Sequence, residues 1–504
     1  MKITFLPRYK QIEVEENRNL MQIMQNQQVN MDFVCGGNGT CGKCKVLITK
    51  GNQKDYTDAE HKCLTEKEKK MGYRLACEFT VAEDTCVILE EKEEKKKEEP
   101  KEQLDLSNGN IDIAFDIGTT TVEAVFLWNR ETIVEKAVKV NPQRVYGLDI
   151  MSRISFAGSS KEHLYLLNRL ILGALNEIIA DFCRKYSVNK EQIKRIAVMG
   201  NTTMIYLLLR QPVKGLIKLP FEIEQLGGIK QAAAYGFFVK EECKLIVPPL
   251  IHSYIGSDTL GCILATGIWK KRGNYGIMDI GTNGEMVVSC DGKISVCSTA
   301  AGPAFEGANI IQGMRAQPGA IYKVERTGQR EWDVYTIEDA EAKGICGSGL
   351  LDAVCVLRDC GLIDSAGFMR EEKVPLDREG RVLLWQQDIR QFQLAKAAIY
   401  AGFKILIEEK GLPLNKLDKL YITGAFGNGL NAEHAMTCGL FPKIDVGRLE
   451  YVKNGSLIGA VLILQNEKLM RQAARVAELA QHVELAEKGT FRDEFIKNMD
   501  FYDK

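Results

Sequence analysis

The stretch Cys35-Gly-Gly-Asn-Gly-Thr-Cys41-Gly-Lys-Cys44 places three cysteines at C-x5-C-x2-C spacing, and Cys77 follows in Tyr73-Arg-Leu-Ala-Cys77-Glu. Four thiolates in this order suit a [2Fe–2S] cluster, a one-electron carrier. Gly36, Gly37, Gly39 and Gly42 supply backbone that can wrap a cluster and turn N–H groups toward its sulfurs. Zinc is the rival for four cysteines, but zinc sites usually come as two short pairs. Here the fourth cysteine lies 33 positions after Cys44. Cys63 and Cys86 compete with Cys77 for the fourth place; Cys63 sits in a charged helical segment and Cys86 alternates within a strand. The nine others, Cys183 to Cys438, show no ligand spacing, and Cys355 and Cys360 read as helical packing residues.

A second chemistry is written twice. Ile111-Asp-Ile-Ala-Phe-Asp116-Ile-Gly118-Thr119-Thr120-Thr121 is echoed about 160 residues later by Gly276-Ile-Met-Asp279-Ile-Gly281-Thr282-Asn283-Gly284-Glu285. Each is an apolar strand ending in Asp-Ile-Gly-Thr. Such a turn aims backbone N–H groups and a hydroxyl at one point, which suits a phosphate. Gly118, Thr119 and Thr120 on one side, with Gly281, Thr282 and Asn283 on the other, can clamp a polyphosphate. Asp116 and Asp279 would face each other across it and repel unless a cation intervenes, which implies Mg²⁺ with its waters. Asp279, or Glu285 just beyond it, is the candidate for orienting an attacking water; phosphoryl transfer needs mostly positioning and charge neutralisation. Tyr421-Ile-Thr423-Gly424-Ala425-Phe426-Gly427-Asn428 is a further strand ending in a glycine turn. It suits an adenine and ribose, with Gly424, Ala425, Phe426 and Asn428 as contacts. Gly455-Ser-Leu-Ile-Gly459-Ala460 reads as a close helix crossing made by small residues, and Ile255-Gly256-Ser-Asp258-Thr-Leu-Gly261 has the same character.

The elements that must position these residues fall into domains, since 504 residues exceed what one core serves. Residues 1–89 form a unit: Lys2–Leu6 and Gln11–Glu15 alternate like paired strands, and Leu20, Ile23 and Met24 recur at helical spacing. Residues 90–110 form a charged linker that cannot build a core. Its reach lies between ~30 Å if helical and ~60 Å if extended. Residues 111–245 form a middle domain, the first phosphate-binding lobe. Residues 246–504 form a C-terminal lobe with the second phosphate turn and the adenosine turn. Net charge of −1 gives no support for nucleic-acid or membrane partners. The N-terminus lacks the apolar core of a signal peptide, and no apolar run approaches the ~18 residues of a span. A cytoplasmic protein is expected, with its fifteen cysteines as ligands and buried thiols rather than disulfides.

Strand hairpin, helix, cysteine loop and late strand is the layout of a β-grasp ferredoxin; the loop is one residue larger than in plant-type ferredoxins and closer to adrenodoxin spacing. The order from Asp116 through Ile255–Ala265, Asp279, Thr423 and Gly455 resembles the phosphate 1, connect 1, phosphate 2, adenosine and connect 2 motifs of the actin/Hsp70/sugar-kinase superfamily. Together, over essentially all 504 residues, the chain resembles the ATP-dependent reductive activators of corrinoid proteins. The resemblance extends to Gly200-Asn-Thr-Thr-Met204, Ala300-Ala-Gly302-Pro-Ala-Phe-Glu306-Gly307 and Gly344-Ile-Cys-Gly347-Ser348-Gly349. The last two, with Gly347 and Ser348, are glycine loops that line the nucleotide cleft, relay its state, or are simply tight turns. The resemblance implies a multidomain fold, an α+β β-grasp ferredoxin followed by a two-lobed α/β ATPase. It implies a [2Fe–2S] cluster on Cys35, Cys41, Cys44 and Cys77, ATP with Mg²⁺, a corrinoid partner protein, a low-potential electron donor and a homodimer. The implied reaction is one-electron reduction of cob(II)alamin to cob(I)alamin on the partner. The alternatives are a redox-regulated kinase, an ATPase energising electron transfer to another low-potential acceptor, and a chaperone-like clamp.

Overall fold

The computed structural model describes residues 1–504 apart from 7–9, 15–17, 27–30, 32, 34–36, 52–54, 89–105, 107, 219–220, 222, 425–429 and 502–504; at 4, 6, 10, 11 and 88 it describes the backbone alone. Cys35, Ala425, Phe426 and Asn428 lie outside the described residues, as does the charged linker up to residue 105.

At the N-terminus, Lys2–Leu6 buries Ile3 and Phe5 on one face, the period of two expected of a half-buried strand. It pairs antiparallel with Lys10–Glu13 and parallel with Thr85–Ile88. Lys45–Lys50 and Tyr73–Leu75 complete a five-stranded sheet. The helix Leu20–Asn26 lays Leu20, Ile23 and Met24 into the same core, the i, i+3, i+4 stripe read from sequence. Two short helices, Asp58–Cys63 and Glu66–Met71, each begin with a capping box, Thr57 with Glu60 and Thr65 with Glu68. This is the α+β β-grasp ferredoxin arrangement.

The two lobes that follow repeat one plan. In the first, Thr132–Val140, Thr121–Trp128 and Ile111–Ile117 form an antiparallel meander, and Ile193–Gly200 joins Ile111–Ile117 in parallel. In the second, Lys293–Thr299, Gly284–Cys290 and Asn274–Ile280 form the matching meander, and Lys419–Gly424 joins Asn274–Ile280 in parallel. The strands bearing Asp116 and Asp279 are buried over most of their length, which explains their continuous apolar runs.

Three apolar cores stack through these lobes. The outer face of the first sheet packs on the 26-residue helix Lys161–Tyr186. The outer face of the second packs on Gly347–Asp359 and the 23-residue helix Gln386–Glu408. Between the sheets lie Ser257–Thr266 and Gly455–Gln465. These are the two small-residue helices singled out from sequence, and they cross each other. A Cβ at Gly261 would stand 2.8 Å from the Ser456 carbonyl oxygen and 2.9 Å from its Cα. Only glycine lets the backbones approach this closely.

One cysteine reading is corrected. Cys355 and Cys360 do lie buried at the helix Gly347–Asp359 and its C-cap, but Cys355 is disulfide-paired with Cys438, Cα atoms 6.4 Å apart. Helical spacing around Cys355 carries no sign of a partner 83 positions away. Among the described residues, no helix is long and apolar enough to cross a membrane.

Candidate functional site

The cleft between the two sheets collects acidic groups. Asp116 ends the strand Ile111–Ile117, Asp279 ends Asn274–Ile280, and Glu285 opens the return strand directly opposite Asp279. Asp258, on the first turn of Ser257–Thr266, joins them. All four are partly open to the cleft. Ser456 donates to Asp116 Oδ1 at 2.7 Å, a bond between residues 340 positions apart that ties the helix Gly455–Gln465 to the first lobe. Thr259 N–H donates to Asp258 Oδ1 at 2.7 Å, and the Cys262 thiol lies 3.6 Å from Asp279 Oδ2.

Desolvation, then mutual repulsion, pushes these carboxyls up. Asp116 rises to about 7 through burial and the charges of Asp258 and Glu123. Asp258 rises to about 7 through burial and Asp279. Asp279 rises to about 6 through burial and Asp116, and Glu285 rises well above its ordinary range through burial, Asp258 and Asp279. Such crowding favours a cation. Among the described residues no three His, Cys, Asp or Glu side chains close around one metal point. Mg²⁺ usually keeps several waters and takes only one or two carboxylates together with substrate phosphates.

The two Asp-Ile-Gly-Thr turns follow directly on the strands that bear Asp116 and Asp279. Gly118 C=O accepts from Asn141 Nδ2 at 2.8 Å. Thr119 Oγ1 accepts from Asn201 Nδ2 at 3.2 Å, and Asn201 also caps the helix Thr202–Leu208. That gives the Gly200–Met204 motif its place. Fully buried Arg153 donates to the Thr119 carbonyl and, at 2.8 Å, to the Gly147 carbonyl. On the opposite turn Gly281 N–H donates to the Asn283 carbonyl at 3.0 Å. Thr120 and Thr282, one from each turn, both donate to Glu306, at 2.7 and 2.6 Å. Gly424, opposite Ile280, has φ +94°, and a Cβ there would lie 2.5 Å from Asp279 Oδ1. Gly455 N–H donates to Thr423 Oγ1 at 3.2 Å.

Gly347 and Ser348 begin the helix Gly347–Asp359, but the Ser348 hydroxyl donates to the Tyr322 carbonyl at 2.9 Å. Among the described residues, this bond joins the start of the helix to the strand Ala320–Arg326. Sequence reasoning did not select Glu306, Asp258, Ser456, Asn201 or Arg153 as site residues. Glu306 and Asp258 sat inside quoted motifs, so a search of those motifs for charged side chains would have found both. The arginine had no such signal.

At the cysteine loop, the Cys44 and Cys77 sulfurs stand 3.4 Å apart and both are buried. That is close to the separation of two thiolates sharing one tetrahedral metal at bonds of ~2.3 Å, so the donors fit an iron of the cluster. The two are held by backbone: Ala76 N–H donates to Cys44 C=O at 2.9 Å, and Asn19 Nδ2 donates to Cys77 C=O at 2.8 Å. Gly42 between Cys41 and Cys44 takes φ +62°, which a side chain would strain. Cys63 ends the helix Asp58–Cys63 with its sulfur 3.5 Å from the Gly39 carbonyl, against the loop. Cys86 lies within the sheet, paired with Thr4 and Lys50.

Family models match in the order of the folded units: a 2Fe-2S iron-sulfur cluster binding domain over residues 3–82, the RACo middle region over 111–271, and the C-terminal domain of RACo, the ASKHA domain, over 275–504. The corrinoid activation enzyme RamQ of Eubacterium limosum is 33% identical over 426 residues, covering 78% of this chain and 70% of that protein. The [Co(II) methylated amine-specific corrinoid protein] reductase of Methanosarcina barkeri is 26% identical over 432 residues, covering 77% of each. Among solved structures, a reductive activator for corrinoid, iron-sulfur protein superposes with a TM-score of 0.72 at 27% identity, covering 99% of this chain and 98% of that one. With a cysteine loop that fits a cluster, two Asp-Ile-Gly-Thr turns on matching strands and these relatives, the chain belongs to the family of ATP-dependent reductive activators of corrinoid proteins.

Proposed function

We propose that the protein reactivates a partner corrinoid protein by ATP-dependent one-electron reduction of cob(II)alamin to cob(I)alamin. The observation that carries this reading is one chain joining a loop with two buried sulfurs 3.4 Å apart to a cleft lined by two opposed aspartate-ended strands. Held by Cys35, Cys41, Cys44 and Cys77, the [2Fe–2S] cluster supplies a one-electron carrier. Gly118–Thr120 and Gly281–Asn283 would hold the polyphosphate, Asp116 and Asp279 would hold Mg²⁺, and Gly424, with the sequence-read Ala425, Phe426 and Asn428, would contact the nucleoside. Asp279 is the better acceptor for the attacking water's hydrogen bond. Burial and neighbouring carboxylates raise both acids, Asp279 to about 6 and Glu285 well above its ordinary range, so Glu285 is the more strongly perturbed of the two. A low-potential electron donor belongs to the same reading. Homodimeric assembly belongs to it through the resemblance, and a cytoplasmic setting through the apolar patterning of the sequence.

ATP has a thermodynamic task here. The cob(II)/cob(I) couple lies below an ordinary [2Fe–2S] centre, and each ~59 mV of a one-electron gap is tenfold in equilibrium. A nucleotide-dependent change of the cleft is the two-state element that can bias grip and release of the partner. The test mixes the reduced protein, MgATP and a cob(II) corrinoid protein from the same organism and follows the cob(I) absorption band. Absence of the band with every such partner sinks the reading.

A further inference from the structure

The ferredoxin domain touches both lobes, each time close in sequence to a charged side chain, Arg144 on the first and Glu306 on the second. On the first lobe, Gln25 Nε2 donates to the Val145 carbonyl and Tyr146 OH donates to the Gln25 carbonyl, both at 3.0 Å. Val145 and Tyr146 pack into the ferredoxin core, and the neighbouring Arg144 feels Glu306 electrostatically. On the second lobe, Lys43, between Cys41 and Cys44, donates to the carbonyls of Ile310 and Ile311 at 3.0 and 3.1 Å. Four residues before Ile310 stands Glu306, holding Thr120 and Thr282.

The segment joining Glu306 to Lys43 is stiff. A Cβ at Gly307 would lie 2.6 Å from Met314 N, Met314 N–H donates to Ile345 C=O at 2.9 Å, and Ile311 N–H donates to Asp388 Oδ1 at 2.8 Å. Buried Ile310 anchors its centre. A push at Glu306 is therefore carried along a packed unit rather than absorbed by a loose loop.

We propose that Glu306 is the positioning residue through which the terminal phosphate of ATP acts on the cysteine loop, by displacement of Glu306 from Thr120 and Thr282 and movement of the segment 306–314 against Lys43. This rests on the reading that the two Asp-Ile-Gly-Thr turns bind phosphate. A threonine hydroxyl has one proton to donate, so it cannot serve a carboxylate and a phosphate oxygen together. Both acceptors are anionic, so they also repel. ADP, lacking the terminal group, leaves Glu306 in place; ATP does not.

The test measures binding of Mg²⁺ with a non-hydrolysable ATP analogue, and of Mg²⁺ with ADP, by calorimetry on the full chain. Glu306→Gln should tighten the ATP analogue about tenfold, equivalent to ~1.4 kcal/mol, and leave ADP within twofold. Weakening of both nucleotides, or no change in their ratio, overturns the proposal. Thr282→Val separates the underlying reading: unchanged binding of both nucleotides there means the turns do not bind phosphate, whatever Glu306→Gln does. Lys43→Met supplies an independent arm. Its reduced cluster should keep its EPR signal and its nucleotide affinity, but lose the change in line shape that the ATP analogue induces in the unmodified protein. Retention of that change in Lys43→Met, or its absence from the unmodified protein, also overturns the proposal.

Discussion

Glu60→Gln should unseat the cluster from a position with no metal-ligating role. Glu60 and Arg74 form a bidentate pair, Nε to Oε1 and Nη2 to Oε2 at 2.8 Å each, with side chains 0% and 5% exposed. Glu60 also accepts from the N–H groups of Thr57 and Leu75 at 3.0 Å, and the Arg74 guanidinium lies 4.6 and 5.0 Å from the Tyr56 and Phe79 ring centroids. The pair pins the strand Tyr73–Leu75, two residues short of Cys77. Removing one partner of a buried ion pair costs about 3–5 kcal/mol because the other charge is left uncompensated. At roughly 4–8 °C per kcal/mol for a domain of this size, the melting temperature of the ferredoxin domain should fall by at least about 12 °C. The assay is loss of the cluster's visible absorbance on heating the full chain, with ATP turnover as a control that should not change. Adding Arg74→Met should recover at least half the loss, since removing both charges is far cheaper than removing one. Burial raises the Glu60 carboxyl, but its bonds to Arg74, Thr57 and Leu75 outweigh this and hold it below its ordinary 4.5. Its contribution is therefore present above pH 4.5 and lost as pH falls through the lower folded value. The Glu60→Gln protein should lack that acid step. A fall of less than about 3 °C, or no recovery in the double variant, would refute the reasoning.

Asp279→Asn should abolish ATP turnover while the cluster EPR signal stays intact; loss of that signal would break the proposed division of labour between domains. The raised pKa values of Asp116 and Asp258 at about 7 and Asp279 at about 6 mean the folded chain holds more protons than the unfolded one above pH 4. Without divalent cation its thermal stability should fall as pH rises from 5 to 8, and added Mg²⁺ should restore more at pH 8 than at pH 5 in a thermal-shift series. Gly261→Ala would press its Cβ on Ser456 and push the Ser456 hydroxyl away from Asp116. A loss of about 1–3 kcal/mol in denaturant unfolding, as for other overpacked cores, should accompany slower ATP turnover.

Much of this site was legible along the chain because its signals are local. The cysteine spacing, the alternation of Lys2–Leu6, the Leu20/Ile23/Met24 stripe and the small-residue helix of Gly455 each lie within about ten residues. The doubled strand ending in Asp-Ile-Gly-Thr was visible for the same reason, and the structure builds it into two matching meanders. The loop at Gly347 and Ser348 shows what spacing does not carry: that the Ser348 hydroxyl bonds the Tyr322 carbonyl follows from the packing of two elements 26 positions apart. The Cys355–Cys438 pair was missed because helical spacing reports only the near neighbours of a residue.

What the sequence by itself determined is the chemistry at hand: thiolates for one-electron transfer, and opposed aspartates with hydroxyl-bearing turns for a nucleotide. What only the tertiary structure decided is how these are connected. Ser456 reaches Asp116 across 340 positions, Lys43 reaches Ile310 across 267, and Thr120 reaches Glu306 across 186. No period or motif encodes such contacts. They arise because two sheets close on a shared pair of helices and a third domain packs against both lobes, bringing polar groups together wherever the backbone leaves them facing.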